Sequence, residues 1–293
     1  MNGVKIQYKS VRIPNGETIA YQEREGGEKN VLLIHGNMTS SKHWDLVLES
    51  MNPVFKLYAV DMRGFGFSTY HHKINSIKDF SDDIKAFVDR IGLQNFSIIG
   101  WSTGGAVGMQ LAADYPECCE KLILLASAST RGYPFNDLEG RRLTTYDAIM
   151  ADPGKTIPIQ HAYDMMDYDF LKAVWNTLIY TKNQPNEEKY NEYTADMVTQ
   201  KNLAEVYHAL NTFNISDKHN GLIGGNGLVQ NLKMPVLVLR GDRDLVITKQ
   251  MAEEILEDIG ETAAFAELKD CGHSPLMDDL AGLLRQFSYF LDC

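Results

Sequence analysis

Gly100-Trp101-Ser102-Thr103-Gly104, followed by Gly105, lies between an apolar run and a helix-like stretch. A serine on so tight a strand-to-helix turn is pushed out above the sheet with a strained backbone. Its flanking positions must lack side chains, because a Cβ there would strike the neighbouring strand or helix. Such a serine does nucleophilic chemistry, and amides at the start of the following helix can stabilise the oxyanion its attack creates. A glycine-rich turn with Ser102 merely capping a helix is the plainer alternative; the strand and helix on either side favour the nucleophile. The loop has neither the G-x-G-x-x-G spacing nor the following Lys-Ser/Thr of a phosphate-binding loop.

A serine hydroxyl is a weak nucleophile at neutral pH and needs an imidazole within hydrogen-bond reach. Of the eight histidines, His71, His72, His208 and His219 sit in polar stretches or mid-chain, and His43 sits at a helix start. His161 is placed where it could touch a substrate. His273, in Cys271-Gly272-His273-Ser274-Pro275, follows the last core strand and precedes the last helix. That position returns the chain to the carboxyl edge of the sheet, where Ser102 also points. The imidazole in turn needs a carboxylate to set its tautomer and stabilise its cation. Gly241-Asp242-Arg243-Asp244 follows the strand over 236–240 at the same edge. Both acids are candidates on spacing alone, the unused one capping a turn or pairing with Arg243. His35-Gly36-Asn37-Met38 follows the strand 31–34 and can offer a backbone N–H opposite Ser102, with Thr103 supplying a second. His35 reads as a structural loop residue. Asn37 has both an amide N–H and a side chain able to reach a bound carbonyl oxygen. Met38, Trp101, Met166 and Trp175 are the candidate substrate-pocket residues.

These groups must be carried by a regular frame. Segments 4–13 and 17–24 read as strands of a hairpin split by Pro14-Asn15-Gly16. The runs 31–34, 55–60, 96–100 and 122–126 read as strands, with a helix over 76–91 and another over 105–113. Continuous apolar strands alternating with helices imply a mostly parallel sheet covered on both faces. The rhythm stops near Ala128, and residues 131–231 carry helix-like stretches rich in aromatics and methionine. It resumes with a strand at 236–239, a helix at 249–258, a strand near 263–268 and a helix from about 278 to 291. The glycines at 221, 224, 225 and 227 suggest a flexible return. The expected organisation is an α/β core over 1–130 and 232–293, with a helical cap inserted at 131–231.

At 293 residues and 44% hydrophobic composition, the chain can bury a sizeable core unaided by metals or disulfides. Twenty-eight basic against 39 acidic residues leave a net charge of −11. That sign repels phosphate backbones and anionic lipid, which argues against nucleic-acid and membrane-surface partners. No window approaches the roughly 18 apolar residues of a membrane span, and the start lacks the apolar region of a signal peptide. Cys118, Cys119, Cys271 and Cys293 have no zinc-type spacing and read as idle thiols. The expectation is a cytoplasmic protein.

Four separated motifs together resemble the α/β-hydrolase superfamily: His35-Gly36-Asn37; Asp61-Met62-Arg63-Gly64-Phe65-Gly66-Phe67-Ser68; Gly100-Trp101-Ser102-Thr103-Gly104; and Gly241-Asp242-Arg243-Asp244 with Gly272-His273. Their Ser, Asp, His order is also that family's. The resemblance implies the α/β-hydrolase fold and serine-triad chemistry. It places the acid last in a Gly-x-x-Asp turn, selecting Asp244 over Asp242, and gives Asp61 and Arg63 a structural role. His35-Gly36-Asn37 with Thr39-Ser40-Ser41 and Trp44 also looks like haloalkane dehalogenases. Those enzymes, like the similar epoxide hydrolases, attack with aspartate, and here Ser102 replaces it. Trp101 precedes the nucleophile, and Thr103 occupies the halide-binding tryptophan's place. Alkyl-halide and epoxide chemistry are therefore disfavoured.

The insert corresponds to the family's lid. Of its Tyr163, Met165, Met166, Tyr168, Phe170, Trp175 and Tyr180, most should pack and a few should face the cleft. An apolar lid favours an uncharged acyl group over a polyanion. The reading is a serine hydrolase acting with water on a small-to-medium ester, lactone or related acyl compound, without metal or organic cofactor. The alternatives are carbon–carbon hydrolysis of a vinylogous diketone, and a ligand sensor built on the same fold.

Overall fold

A computed structural model describes residues 5–292. Residues 1–4, with the first position of the strand expected over 4–13, and Cys293 lie outside the described residues. The hairpin forms as β1 (Ile6–Arg12) and β2 (Thr18–Arg24), paired antiparallel, with Gly16 at φ 94° in the turn. β3 (Lys29–Ile34), β4 (Phe55–Val60), β5 (Phe96–Trp101), β6 (Cys119–Leu125), β7 (Val236–Gly241) and β8 (Ala263–Leu268) complete one eight-stranded sheet. Its order is β1-β2-β4-β3-β5-β6-β7-β8, and every pairing from β4 to β8 is parallel. This is the mostly parallel architecture that the uninterrupted apolar runs imply.

The period-2 alternation of strands sorts those runs into two cores. Leu32, Ile34, Ile98, Leu122, Leu124, Val236 and Val238 enter one, against α2 (Ile77–Ile91) and α3 (Thr103–Asp114). Val31, Leu33, Ile99, Trp101, Ile123, Leu125, Leu237 and Leu239 enter the other, against α1 (Asp45–Ser50) and a C-terminal helix. α2 starts where Ser76 and Asp79 form a capping box and stops at Gly92 in the left-handed region.

Between β6 and β7 the described residues form five α-helices, a short 3-10 helix over Leu228–Asn231 and no strand: α4 (Tyr146–Met150), α5 (Thr156–Met165), α6 (Tyr168–Leu178), α7 (Glu187–Met197) and α8 (Leu203–Asn211). In the glycine-containing return Gly225 is tightly placed, its Cβ position 2.1 Å from the Ser216 carbonyl oxygen, whereas nothing lies within 4 Å of the Cβ positions of Gly224 and Gly227. α9 (Lys249–Ile259) joins β7 to β8. The closing helix expected from about 278 to 291 forms as α11 (Leu280–Asp292), preceded by a short helix, α10 (Pro275–Asp278), that ends at Asp279. No helix among the described residues is long and apolar enough to cross a membrane.

Candidate active site

Ser102 joins β5 directly to α3 and has φ 56°, ψ −115°, a conformation a non-glycine residue adopts only under restraint. The restraint comes from both sides. A Cβ on Gly100 would sit 2.3 Å from the Gly104 carbonyl oxygen, and one on Gly104 would sit 2.1 Å from that of Ile34. Any side chain at either position would force strand and helix apart. α3 begins at Thr103, two residues before the expected start, because the turn consumes only the serine itself. The positive end of that helix therefore begins beside Ser102.

The His273 loop follows β8, and the Asp244 loop follows β7. Gly241 lets them close together, since its Cβ would lie 2.2 Å from the Cys271 carbonyl oxygen. His273 Nδ1 lies 3.0 Å from Asp244 Oδ2, and both side chains are buried. Asp244 Oδ1 also accepts the Val246 and Ile247 amides at 2.8 and 2.9 Å. Burial alone would raise this carboxyl, but the charge and hydrogen bond of His273, with those two amides, hold it below the ordinary carboxylate value. Asp242 is exposed and accepts only the Cys271 amide, at 3.3 Å. Arg243 does not pair with it but with Asp270. Asp278 Oδ2 accepts the Gly272 amide at 2.7 Å and so fixes the backbone just ahead of His273.

Ser102 and His273 line one cavity of about 700 Å³, together with Asn37, Met38, Thr103 and Trp175. No hydrogen bond joins Ser102 Oγ to His273 among the described residues; the imidazole's own contact is with Asp244. Gly36 brings the loop after β3 close, with its Cβ position 3.3 Å from Ser102 Cβ. Among the described residues the N–H groups of Asn37 and Thr103 donate to no backbone acceptor. His35 is occupied structurally: its Nε2 accepts the Met62 amide at 3.0 Å, and burial pushes its imidazole down to about 4.

Two expected pocket residues lie elsewhere. Trp101 is buried beneath the cavity wall, because it precedes Ser102 on β5 and alternation sends it into the second core. There its ring stacks on His43 at 5.0 Å, and its indole N–H donates to the His273 carbonyl at 2.9 Å. Met166 is 65% exposed. Seven residues after the cavity-lining Ile159, it would share that helical face if α5 continued, but the backbone turns left-handed there at φ 52°. His161 is exposed and does not line the cavity either. Of the insert's aromatic residues singled out from the sequence, Phe170 and Trp175 reach the cavity, while Tyr163 and Tyr180 are buried in packing.

Several residues at the site carry no local sequence signal. Phe135, Ile159, Val174 and Tyr207 form much of its apolar wall, and Lys155 is the one permanently charged residue in the lining. The Lys155 ammonium lies 4.8 Å from the Phe135 ring centroid and 3.0 Å from the Asn136 carbonyl oxygen. Gln200, between α7 and α8, donates to Asn37 Oδ1 at 2.8 Å. Only a glutamine's place in a folded loop reveals such a role; no local pattern marks it.

A mostly parallel sheet with a strained serine at a strand-to-helix turn, and a carboxylate–imidazole pair at the same edge, defines a hydrolase architecture. A family model described as the alpha/beta hydrolase fold matches residues 29–280, and the chain belongs to that family. The chain is 25% identical over 272 residues to a pimeloyl-[acyl-carrier protein] methyl ester esterase of Vibrio parahaemolyticus, covering 90% of this chain and 95% of that one. It is 21% identical over 274 residues to a 2-hydroxy-6-oxononadienedioate/2-hydroxy-6-oxononatrienedioate hydrolase of a Pseudomonas species, covering 90% and 89%. An esterase from Exiguobacterium antarcticum superposes with a TM-score of 0.77 at 16% identity, over 98% of this chain and 100% of that chain. The protein is a hydrolase.

Proposed function

We propose that this hydrolase cleaves an uncharged, small-to-medium carboxylic ester or lactone through an acyl-enzyme on Ser102. The observation that carries the reading is one cavity holding both a serine in a strained turn and an imidazole bound to a buried carboxylate. In this mechanism the Ser102–His273 contact closes as substrate enters, since catalytic hydrogen bonds tighten in the Michaelis complex. His273 Nε2 takes the Ser102 proton while Oγ attacks the carbonyl. Asp244 keeps the Nδ1–H tautomer and stabilises the imidazolium. The Thr103 and Asn37 amides receive the oxyanion. His273 then protonates the departing alcohol, and water, activated by the same imidazole, releases the acid.

Residues 131–231 act as the cap, supplying most of the apolar wall and keeping bulk water from the acyl group. The free thiols of Cys118, Cys119 and Cys271 support a reducing, cytoplasmic setting.

The likeness to the dienedioate hydrolase keeps carbon–carbon cleavage as a second reading. A dianionic substrate, however, would meet only Lys155 as a permanent cation in the lining. Arg131 is engaged by Glu257 and Asp258, Arg141 by Asp137 and Glu139, and Arg142 by Asn211 and Asn220.

The test is fluorophosphonate labelling, then a chain-length series of p-nitrophenyl esters run beside a ring-fission diketone. Ser102→Ala should abolish labelling and lower ester turnover by on the order of 10³-fold or more. Near-full activity in that variant would overturn the assignment, and faster turnover of the diketone would favour the second reading.

A further inference from the structure

A chain of buried amides holds the oxyanion loop from the insert side, and one backbone carbonyl decides the direction of every bond in it. Asn202 Nδ2 donates to the Arg63 carbonyl oxygen at 2.7 Å, and a carbonyl can only accept. Asn202 Oδ1 is therefore the acceptor on the other side, where Gln200 Nε2 donates at 3.1 Å. The same Gln200 nitrogen meets the Asn37 side chain at 2.8 Å, so the atom it meets must be Oδ1. Gln200 Oε1 accepts the Tyr163 hydroxyl at 3.1 Å. Tyr163, Gln200 and Asn202 are all buried. Reversing any one amide would set donor against donor, or acceptor against acceptor, where desolvation makes the mismatch costly.

With Oδ1 committed to Gln200, the amino group is the end of Asn37 left for the cavity that Asn37 lines beside Ser102. Resting on the reading of Ser102 as the acylating nucleophile, we infer that Gln200, oriented by Asn202 and the Arg63 carbonyl, is a positioning residue that presents Asn37 Nδ2–H to the substrate carbonyl oxygen as a side-chain donor of the oxyanion hole. Such a donor is set before substrate arrives, so no reorganisation is needed as charge develops on the oxygen. Gln200 itself touches neither substrate nor serine. Its effect is on kcat, through which end of Asn37 faces the site.

Gln200→Glu replaces the donating nitrogen with an acceptor oxygen and turns the Asn37 amide over. Gln200→Met removes the donor at similar bulk. With p-nitrophenyl butyrate, both variants should lose about tenfold or more in kcat, less than the 10²–10³ of a principal oxyanion donor. KM should stay within about twofold of the wild type, because the donor acts on the developing oxyanion. The decisive comparison is a double-mutant cycle. In an Asn37→Ala background, Gln200→Met should cost nothing further, because the group it orients is gone. Losses that multiply across the two backgrounds, or a Gln200→Met variant with native melting temperature and unchanged kcat, would overturn the inference. Wild-type turnover that proves independent of Ser102 would sink the hydrolase reading and this inference together. Turnover that depends on Ser102 but ignores Gln200 would sink this inference alone.

Discussion

Asp244 spends its two carboxylate oxygens on two tasks. Oδ1 accepts a pair of backbone amides that fix the loop and lies 3.2 Å from His273 Nδ1, and Oδ2 meets the same imidazole nitrogen at 3.0 Å. Asp244→Asn can keep the first task by presenting its carbonyl oxygen to the amides, but it removes the charge that stabilises an imidazolium. We expect the melting temperature to change little and kcat for a p-nitrophenyl ester to fall on the order of 10³–10⁴-fold. Unchanged kcat would transfer the acid's role elsewhere. The depressed carboxyl also has a signed effect on stability. Its contribution is fully present above the ordinary carboxylate value of 3.8 and is lost as pH falls through the lower folded value. Its loss is therefore felt only in acid, below the ordinary carboxylate value.

The turn from β5 to α3 owes its shape to contacts with β3 as much as to its own sequence. Gly104→Ala would drive a Cβ to within 2.1 Å of the Ile34 carbonyl oxygen, which is backbone and cannot rotate away. Relief requires α3 to lift from the sheet, at a cost of about 1–3 kcal/mol for overpacking, or more. The denaturation midpoint should drop accordingly, and activity should fall with it because the helix start carries the Thr103 amide. Gly224→Ala is the matched control, since nothing lies within 4 Å of its Cβ position and its φ is ordinary. Equal stability of the two variants would remove the packing argument.

Across the whole molecule, the seam between insert and core runs through residues 196–202. Asp196 accepts the Ser40 amide at 2.9 Å and the Ser40 hydroxyl, Thr199 Oγ1 accepts the Gly66 amide, and Gln200 reaches Asn37. Burial first, and then the charge of Asp61, push Asp196 up to about 7. Burial pushes His35 and His43 down, to about 4 and about 3. The signs oppose. The histidines add stability that is present above their ordinary 6.5 and is lost as pH falls toward their folded values. Asp196 adds stability that is present below 3.8 and is lost as pH rises through about 7. Burial raises Asp61 and Asp83 as well, so the net slope belongs to all of these groups together. Asp196→Asn removes one of them, so the melting temperature of that variant relative to the wild type should climb as pH rises from about 4 to about 7, as calorimetry across the range would show; a difference that stays flat contradicts the assignment. Multiple turnover by the purified chain alone separates an enzyme from a sensor, which would stop after one slow event.

Sequence alone determined the frame and put forward the candidates for its reactive groups. Apolar runs bounded by turns specify buried parallel strands, and Ser102, Asp244 and His273 lie on the connections that follow β5, β7 and β8, at the edge where strand ends must gather. That information is local, because it lies in the order of neighbouring residues. Only the tertiary structure decided which side chains wall the cavity. Trp101 faces away because β5 alternates, Met166 because α5 ends in a left-handed turn, and Gln200 reaches Asn37 across 163 positions of chain. No short window encodes where two such distant segments meet. Packing of the insert against the core sets that meeting, and the lining of the cavity, including its single lysine, follows from it.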